Sequence, residues 1–111
     1  MPTIDQATFN ELKEMTGPDF INELIDAFLE DAPEMIQTMR TALATRDVES
    51  FRRNAHSLKS NAYTFGATEL GSLAKELESM AKENNLDIGN RLDTVHVALE
   101  KVSEELKGMR T

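Results

Sequence analysis

The chain has no cysteine, which excludes a disulfide framework, a thiolate metal site and a cysteine nucleophile together. A reducing cytoplasm is the easiest home for such a composition. Glycine and proline are sparse, at five and three residues, so little interrupts a sequence rich in leucine, methionine, glutamate, alanine and lysine. No stretch reads as a strand. No apolar run approaches the roughly 20 residues of a membrane-spanning helix. The opening residues Met1-Pro2-Thr3-Ile4-Asp5 lack the basic and apolar regions of a secretory signal, so the expectation is a soluble protein with no membrane insertion. Basic residues are outnumbered, 12 against 20 acidic, for a net charge of -8. That balance argues against nucleic acid, whose binding rests on a basic surface.

Within 111 residues there is room for one domain with a single core; residues 1–111 are read as that domain. Thr3 followed by Gln6 resembles a capping box, and Phe9, Leu12 and Met15 continue at helical spacing until Gly17-Pro18 ends a short first helix. From Asp19, the positions Phe20, Ile21, Leu24, Ile25, Phe28 and Leu29 form a broad apolar stripe that belongs against a core. Pro33 either opens a new helix or kinks one long helix; in both cases Met35, Ile36, Met39 and Leu43 carry the stripe to about Thr45. Arg46-Asp47 is a tight connection to a helix over about Val48–Thr64, which Gly66 can end in the left-handed conformation. Leu70, Leu73, Leu77 and Met80 mark the next helix, ending near Asn84-Asn85. The last runs from about Gly89 with Leu92, Val95, Leu99, Val102 and Leu106 inward, and Lys107 to Thr111 is expected to fray. Short connections between amphipathic helices favour antiparallel neighbours, so the predicted architecture is all-α: an up-down four-helix bundle with a short additional N-terminal helix.

One helix carries unusual chemistry. Val48, Phe51, Ala55, Leu58 and Ala62 bury one face, which leaves Arg52, Arg53, His56, Lys59, Ser60 and Tyr63 mostly on the other. Four of the twelve basic residues, Arg46, Arg52, Arg53 and Lys59, fall within fourteen positions around His56, opposed only by Asp47 and Glu49. Taken alone, such a strip is an ordinary solvated face, and a lone surface histidine usually has no task. The combination with a histidine and lysine one turn apart is what singles the segment out. His96 is the internal control: set between Val95 and Val97 beside the apolar stripe, it lacks those neighbours and reads as a boundary histidine. Two histidines without a carboxylate cluster do not suggest a transition-metal site.

The segments Phe28-Leu29-Glu30-Asp31-Ala32-Pro33, Arg53-Asn54-Ala55-His56-Ser57-Leu58-Lys59, Gly66-Ala67 and Leu73-Ala74-Lys75-Glu76-Leu77-Glu78 together resemble the histidine-containing phosphotransfer (HPt) domain of two-component phosphorelays. The resemblance spans most of the chain and rests chiefly on His56, Lys59 and Gly66. It implies that His56 accepts a phosphoryl group from a receiver-domain aspartate, or from a kinase, and passes it to another receiver. Lys59 would stabilise the phosphate, and Ser60, Arg53, Arg52, Tyr63 and Gly66 would serve binding. Where the family most often has glycine-serine-serine after the lysine, this chain has Ser60-Asn61-Ala62, all small enough for close approach.

Nothing resembles a nucleotide-binding box, so the resemblance implies a relay without autonomous kinase activity. It needs no bound cofactor, and Mg²⁺ is expected in the partner receiver. The expected partners are response-regulator receiver domains, with a histidine kinase as a further candidate, and the expected state is a cytoplasmic monomer. A non-phosphorylated helical adaptor is the alternative. Two finer expectations concern neighbours of the site: Glu76, with Lys75 and Ser79 nearby, at the level to hold the His56 imidazole, and Ile4, Phe9 or Leu12 either at the receiver contact or capping the core.

Overall fold

The computed structural model describes residues 3–110. Five helices follow in order: α1 (Gln6–Thr16), α2 (Pro18–Thr45), α3 (Val48–Phe65), α4 (Thr68–Lys82) and α5 (Arg91–Met109). Helices α2 to α5 form a bundle in which each packs on the next and α5 returns to α2, while α1 packs on α2 and α3. No strand occurs among the described residues.

The predicted stripes point inward. Ile25, Met39, Phe51, Leu58, Leu70, Leu77 and Leu106 are fully enclosed, each aliphatic or aromatic side chain contributing about 1.5–3 kcal/mol by leaving water. Phe28 of α2 meets Phe65 of α3 with ring centroids 5.3 Å apart and tilted by 57°, a favourable aromatic arrangement. Small residues govern the α3–α4 contact. Ala55 and Ala62 on α3, and Gly71, Ala74 and Ala81 on α4, are buried, so the two helix axes can approach closely. Phe20 departs from its stripe and is half exposed, while its neighbour Ile21 is buried, so the inward face of the first turn of α2 falls on Ile21.

Pro33 neither breaks α2 nor starts a new helix; α2 runs through it for 28 residues. Its exposed position puts the hydrogen bond it forfeits on the solvent side, where water can serve the carbonyl four residues earlier. The reversals into α3 and α4 use the same device. Arg46 (φ 59) and Gly66 (φ 85) adopt the left-handed conformation, with Asp47 N donating to Ala42 O at 2.9 Å and Ala67 N to Ala62 O at 2.8 Å, as in a Schellman cap. Asp47 then caps α3, its carboxylate accepting from Ser50 N at 3.1 Å.

Two terminal expectations are corrected. Thr3 makes no capping box with Gln6; Asp5 precedes α1, and Thr3 instead donates its backbone N–H and hydroxyl to Glu105 of α5. A carboxylate 102 residues away outcompetes the local acceptor because the fold brings it alongside. The C-terminal segment is helical to Met109 and held by a bidentate ion pair from Arg110 to Asp26, both bonds 2.7 Å; Thr111 lies outside the described residues. Ile4 and Phe9 are buried at 2 % and 3 % exposure, so they cap the core, and Leu12 packs partly buried against it.

Gly66 locks the end of the bundle. Its carbonyl accepts from Asp5 N at 2.8 Å, and a Cβ at this position would sit 2.9 Å from Asp5 O and 3.0 Å from Thr8 Cβ. Gly66→Ala combines a left-handed non-glycine with that clash, so it should lower stability by about 1–3 kcal/mol. Urea denaturation followed by circular dichroism checks this; an unchanged midpoint would contradict the packing described.

Candidate phosphoryl-transfer site

Helix α3 presents its polar face between α2 and α4, and His56 stands on it with its side chain 56 % exposed. Beneath lies Glu78 of α4, the one buried charged residue among those described, at 3 % exposure. Its carboxylate is shared. His56 Nδ1 lies 2.7 Å from Oε2, and Lys59 Nζ donates to Oε1 at 2.5 Å. Lys82, one turn further along α4, places Nζ 3.8 Å from Oε2.

Burial pulls the Glu78 carboxyl towards a higher pKa. The hydrogen bonds from Lys59 and His56, and the charges of Lys59 and Lys82, outweigh that pull and hold it below its ordinary value of 4.5. Glu78 is therefore an anion at neutral pH and can only accept. The hydrogen between it and the imidazole must reside on Nδ1, which assigns the tautomer of a neutral ring and leaves the lone pair on Nε2. A buried carboxylate thus orients an exposed imidazole.

The other candidates divide. Lys59 is brought to the site, its side chain only 22 % exposed. Ser60 is exposed one turn beyond His56, where a small side chain leaves the imidazole open to a partner. Tyr63, 39 % exposed, lies across α4: its hydroxyl is 3.2 Å from Ser72 Oγ, and a Cβ on Gly71 would come within 2.8 Å of its ring.

Arg52 and Arg53 are turned to Glu49. Arg52 makes a fork with contacts of 2.5 and 3.2 Å and Arg53 approaches at 3.8 Å, so Glu49 neutralises much of the cationic strip. Gly66 is not brought to the site at all. It is buried at the end of α3, and its contribution is the turn that sets α4 antiparallel to α3. On the α2 side, Leu24, Ala27, Phe28, Asp31, Asn61, Thr64 and Phe65 line a shallow groove of about 130 Å³.

Glu76 does not hold the imidazole; it is exposed and bonded to Arg91 Nε at 2.7 Å, and Lys75 and Ser79 are exposed as well. Counting equal lengths from the Gly66 turn ignores which face of α4 meets α3, and so misses by two residues. A signal was present: Gly71, Ala74, Glu78 and Ala81 recur at spacings of three and four, which puts a glutamate on a stripe of small buried residues. His96 lies on α5, 48 % exposed, with Nε2 2.7 Å from Glu100 Oε1. It faces solvent more fully than a boundary residue and has no buried partner.

A family model for the Hpt domain matches residues 23–109. Among solved structures, the chain is similar to the crystal structure of histidine-containing phosphotransfer protein B (HptB) from Pseudomonas aeruginosa PAO1. The TM-score is 0.88 and the sequence identity 26 %, and the match covers 98 % of this chain and 95 % of that one. No curated protein matches the sequence.

Proposed function

Because the chain belongs to the Hpt domain family, and so is a histidine phosphotransfer module of a phosphorelay, we propose that His56 is the residue that carries its phosphoryl group. The observation that carries this is the Nδ1 contact with buried Glu78. It leaves Nε2, on a largely exposed ring, as the free nucleophilic atom.

The transfer follows from that geometry. The Nε2 lone pair attacks the phosphorus of a receiver's aspartyl phosphate; the N–P bond forms as the P–O bond breaks, and the aspartate departs with the bonding pair. No base is needed, because Nε2 carries no proton. The ring keeps its Nδ1 hydrogen and becomes cationic, and the Glu78 carboxylate offsets that charge, much as the aspartate of a serine-protease triad supports its imidazolium. In the onward step a second receiver's aspartate attacks phosphorus and neutral imidazole leaves. Lys59 supplies positive charge to phosphoryl oxygens in a loose transition state, where positioning and electrostatics do most of the catalysis. Mg²⁺, held by the receiver's acidic site, supplies the remainder.

The partners are the receiver domains and kinases of such relays. Ser60 leaves room above the imidazole, with Tyr63 on the α4 side and the α2–α3 groove on the other; a receiver docks between them, and Arg52 and Arg53 contribute at the rim. Among the described residues no helix is long and apolar enough to cross a membrane. We read the chain as a cytoplasmic monomer that meets each partner transiently, a mode that modest buried area suits.

A receiver charged with radiolabelled acetyl phosphate in the presence of Mg²⁺ tests the assignment. The protein should acquire an acid-labile, alkali-stable label that peptide mass spectrometry places on His56. Label on His96 would overturn the assignment and move the acceptor there, and no label from any receiver in a competent panel would overturn it and favour the adaptor.

A further inference from the structure

Phosphoryl transfer changes the demands on Glu78. Its carboxylate is 4 % exposed and is served by Lys59 and His56, the same two groups that a phosphoryl group would engage. The new group brings close to two negative charges, and the Lys59 ammonium is the nearest cation paired within the site. As Lys59 turns outward, the buried carboxylate loses the cation bonded to Oε1 and keeps only the ring on Oε2, which is unfavourable for a buried anion.

Two other cations lie in the field of this carboxylate. Arg52 feels it but is already held in a fork by Glu49. Lys82 is differently placed. It sits in the last turn of α4, where positive charge is favoured, four residues after Glu78 in the favourable orientation. Its Nζ is 3.8 Å from Oε2 and its side chain is 59 % exposed. That distance is a charge contact longer than a hydrogen bond, and a rotamer change in a flexible, exposed side chain can close it.

Resting on the reading of His56 as acceptor, we propose that Lys82 is a positioning residue: a reserve counter-ion that closes on Glu78 when Lys59 turns to the phosphoryl oxygens. The anion then stays charged, the Nδ1 hydrogen stays in place, and Lys59 is released without leaving the buried carboxylate to the ring alone. In the unphosphorylated protein Lys82 adds only the charge of a 3.8 Å contact, because Lys59 holds Glu78 by a hydrogen bond. Its larger effect falls on the phosphorylated state.

The test compares the parent with Lys82→Gln and Lys82→Arg in equilibrium phosphoryl exchange with a charged receiver, alongside the NMR signal of the His56 Nδ1 hydrogen in unphosphorylated protein. Lys82→Gln should shift the equilibrium against phosphohistidine by about 3–10-fold, the scale of one partly exposed charged hydrogen bond. Lys82→Arg should restore it to within about twofold, and the Nδ1 signal should be the same in all three proteins. An unchanged equilibrium in Lys82→Gln, failure of arginine to rescue, or a displaced Nδ1 signal would overturn the role. A His56→Gln control separates the two readings: label retained there removes the acceptor assignment, whereas label lost there with Lys82→Gln at parental level removes only the role of Lys82.

Discussion

Replacing His56 with glutamine is expected to reduce phosphoryl transfer to background without unfolding the protein. Glutamine has no ring nitrogen with an available lone pair, so the N–P bond cannot form. Its amide can still donate to Glu78. The side chain it replaces is 56 % exposed and contributes little to the core, so stability should change by no more than about 1 kcal/mol. Transfer from a charged receiver and thermal melting, measured on the same preparation, separate loss of the nucleophile from loss of fold. His96→Gln should label like the parent, because His96 pairs only with Glu100 on the surface of α5. Residual labelling of the His56 variant would mean that another side chain accepts the phosphoryl group.

Glu78→Ala should slow transfer by about 10²-fold, the order expected when a reacting imidazole loses the group that sets its tautomer and supports its positive charge. The nucleophile would remain, but neutral His56 would populate both tautomers, and half or more of the rings would offer the wrong nitrogen. Lys59 would also lose the anchor that keeps its ammonium beside the ring. Glu78→Gln should fall between the two, since an amide oxygen can accept from Nδ1 but brings no negative charge. Single-turnover transfer rates decide this, and parental rates in Glu78→Ala would sink the orienting role.

The same substitution has a signature in acid. The pKa of Glu78 is depressed in the folded protein relative to 4.5, so its ionised form contributes stability that is fully present above that value. This contribution is lost as pH falls below 4.5 through the lower folded-state pKa. The parent should therefore lose stability across this acid window more steeply than Glu78→Ala, and denaturant midpoints at a series of pH values would show the two curves converging. Parallel curves would mean that Glu78 gains no ionic stabilisation from its partners.

The expectations that held were those that depend on residues close in sequence. Val48, Phe51, Ala55, Leu58 and Ala62 recur on one face of α3, which by itself turns His56 outward, and a glycine after Phe65 sets the turn because only a residue without Cβ enters that conformation cheaply. His56 and Lys59 are neighbours for the same reason: three residues is one turn. Pro33 was ambiguous because its effect depends on whether solvent can replace the bond it removes, and only the packing of α2 determines that. The Thr3 capping box failed because a carboxylate on α5 was nearer in space than in sequence.

The site itself divides along this line. Local periodicity determined the helices, the exposed histidine, its lysine and the reversal at Gly66, since each follows from spacing within a few residues. What a sequence pattern could not supply was the partner across the α3–α4 contact. Glu78 and Glu76 differ by two positions, about 200° around a helix, and the rotation of α4 against α3 decides which of them reaches the imidazole. The small residues Ala55, Ala62, Gly71 and Ala74 set that rotation through close packing. The pairs of Arg52 and Arg53 with Glu49 are local to α3, three and four residues apart. The sequence by itself singled out His56 as the candidate acceptor; tertiary structure decided that Glu78 pairs with it and with Lys59, because that pairing depends on a distance between helices that no single helix contains.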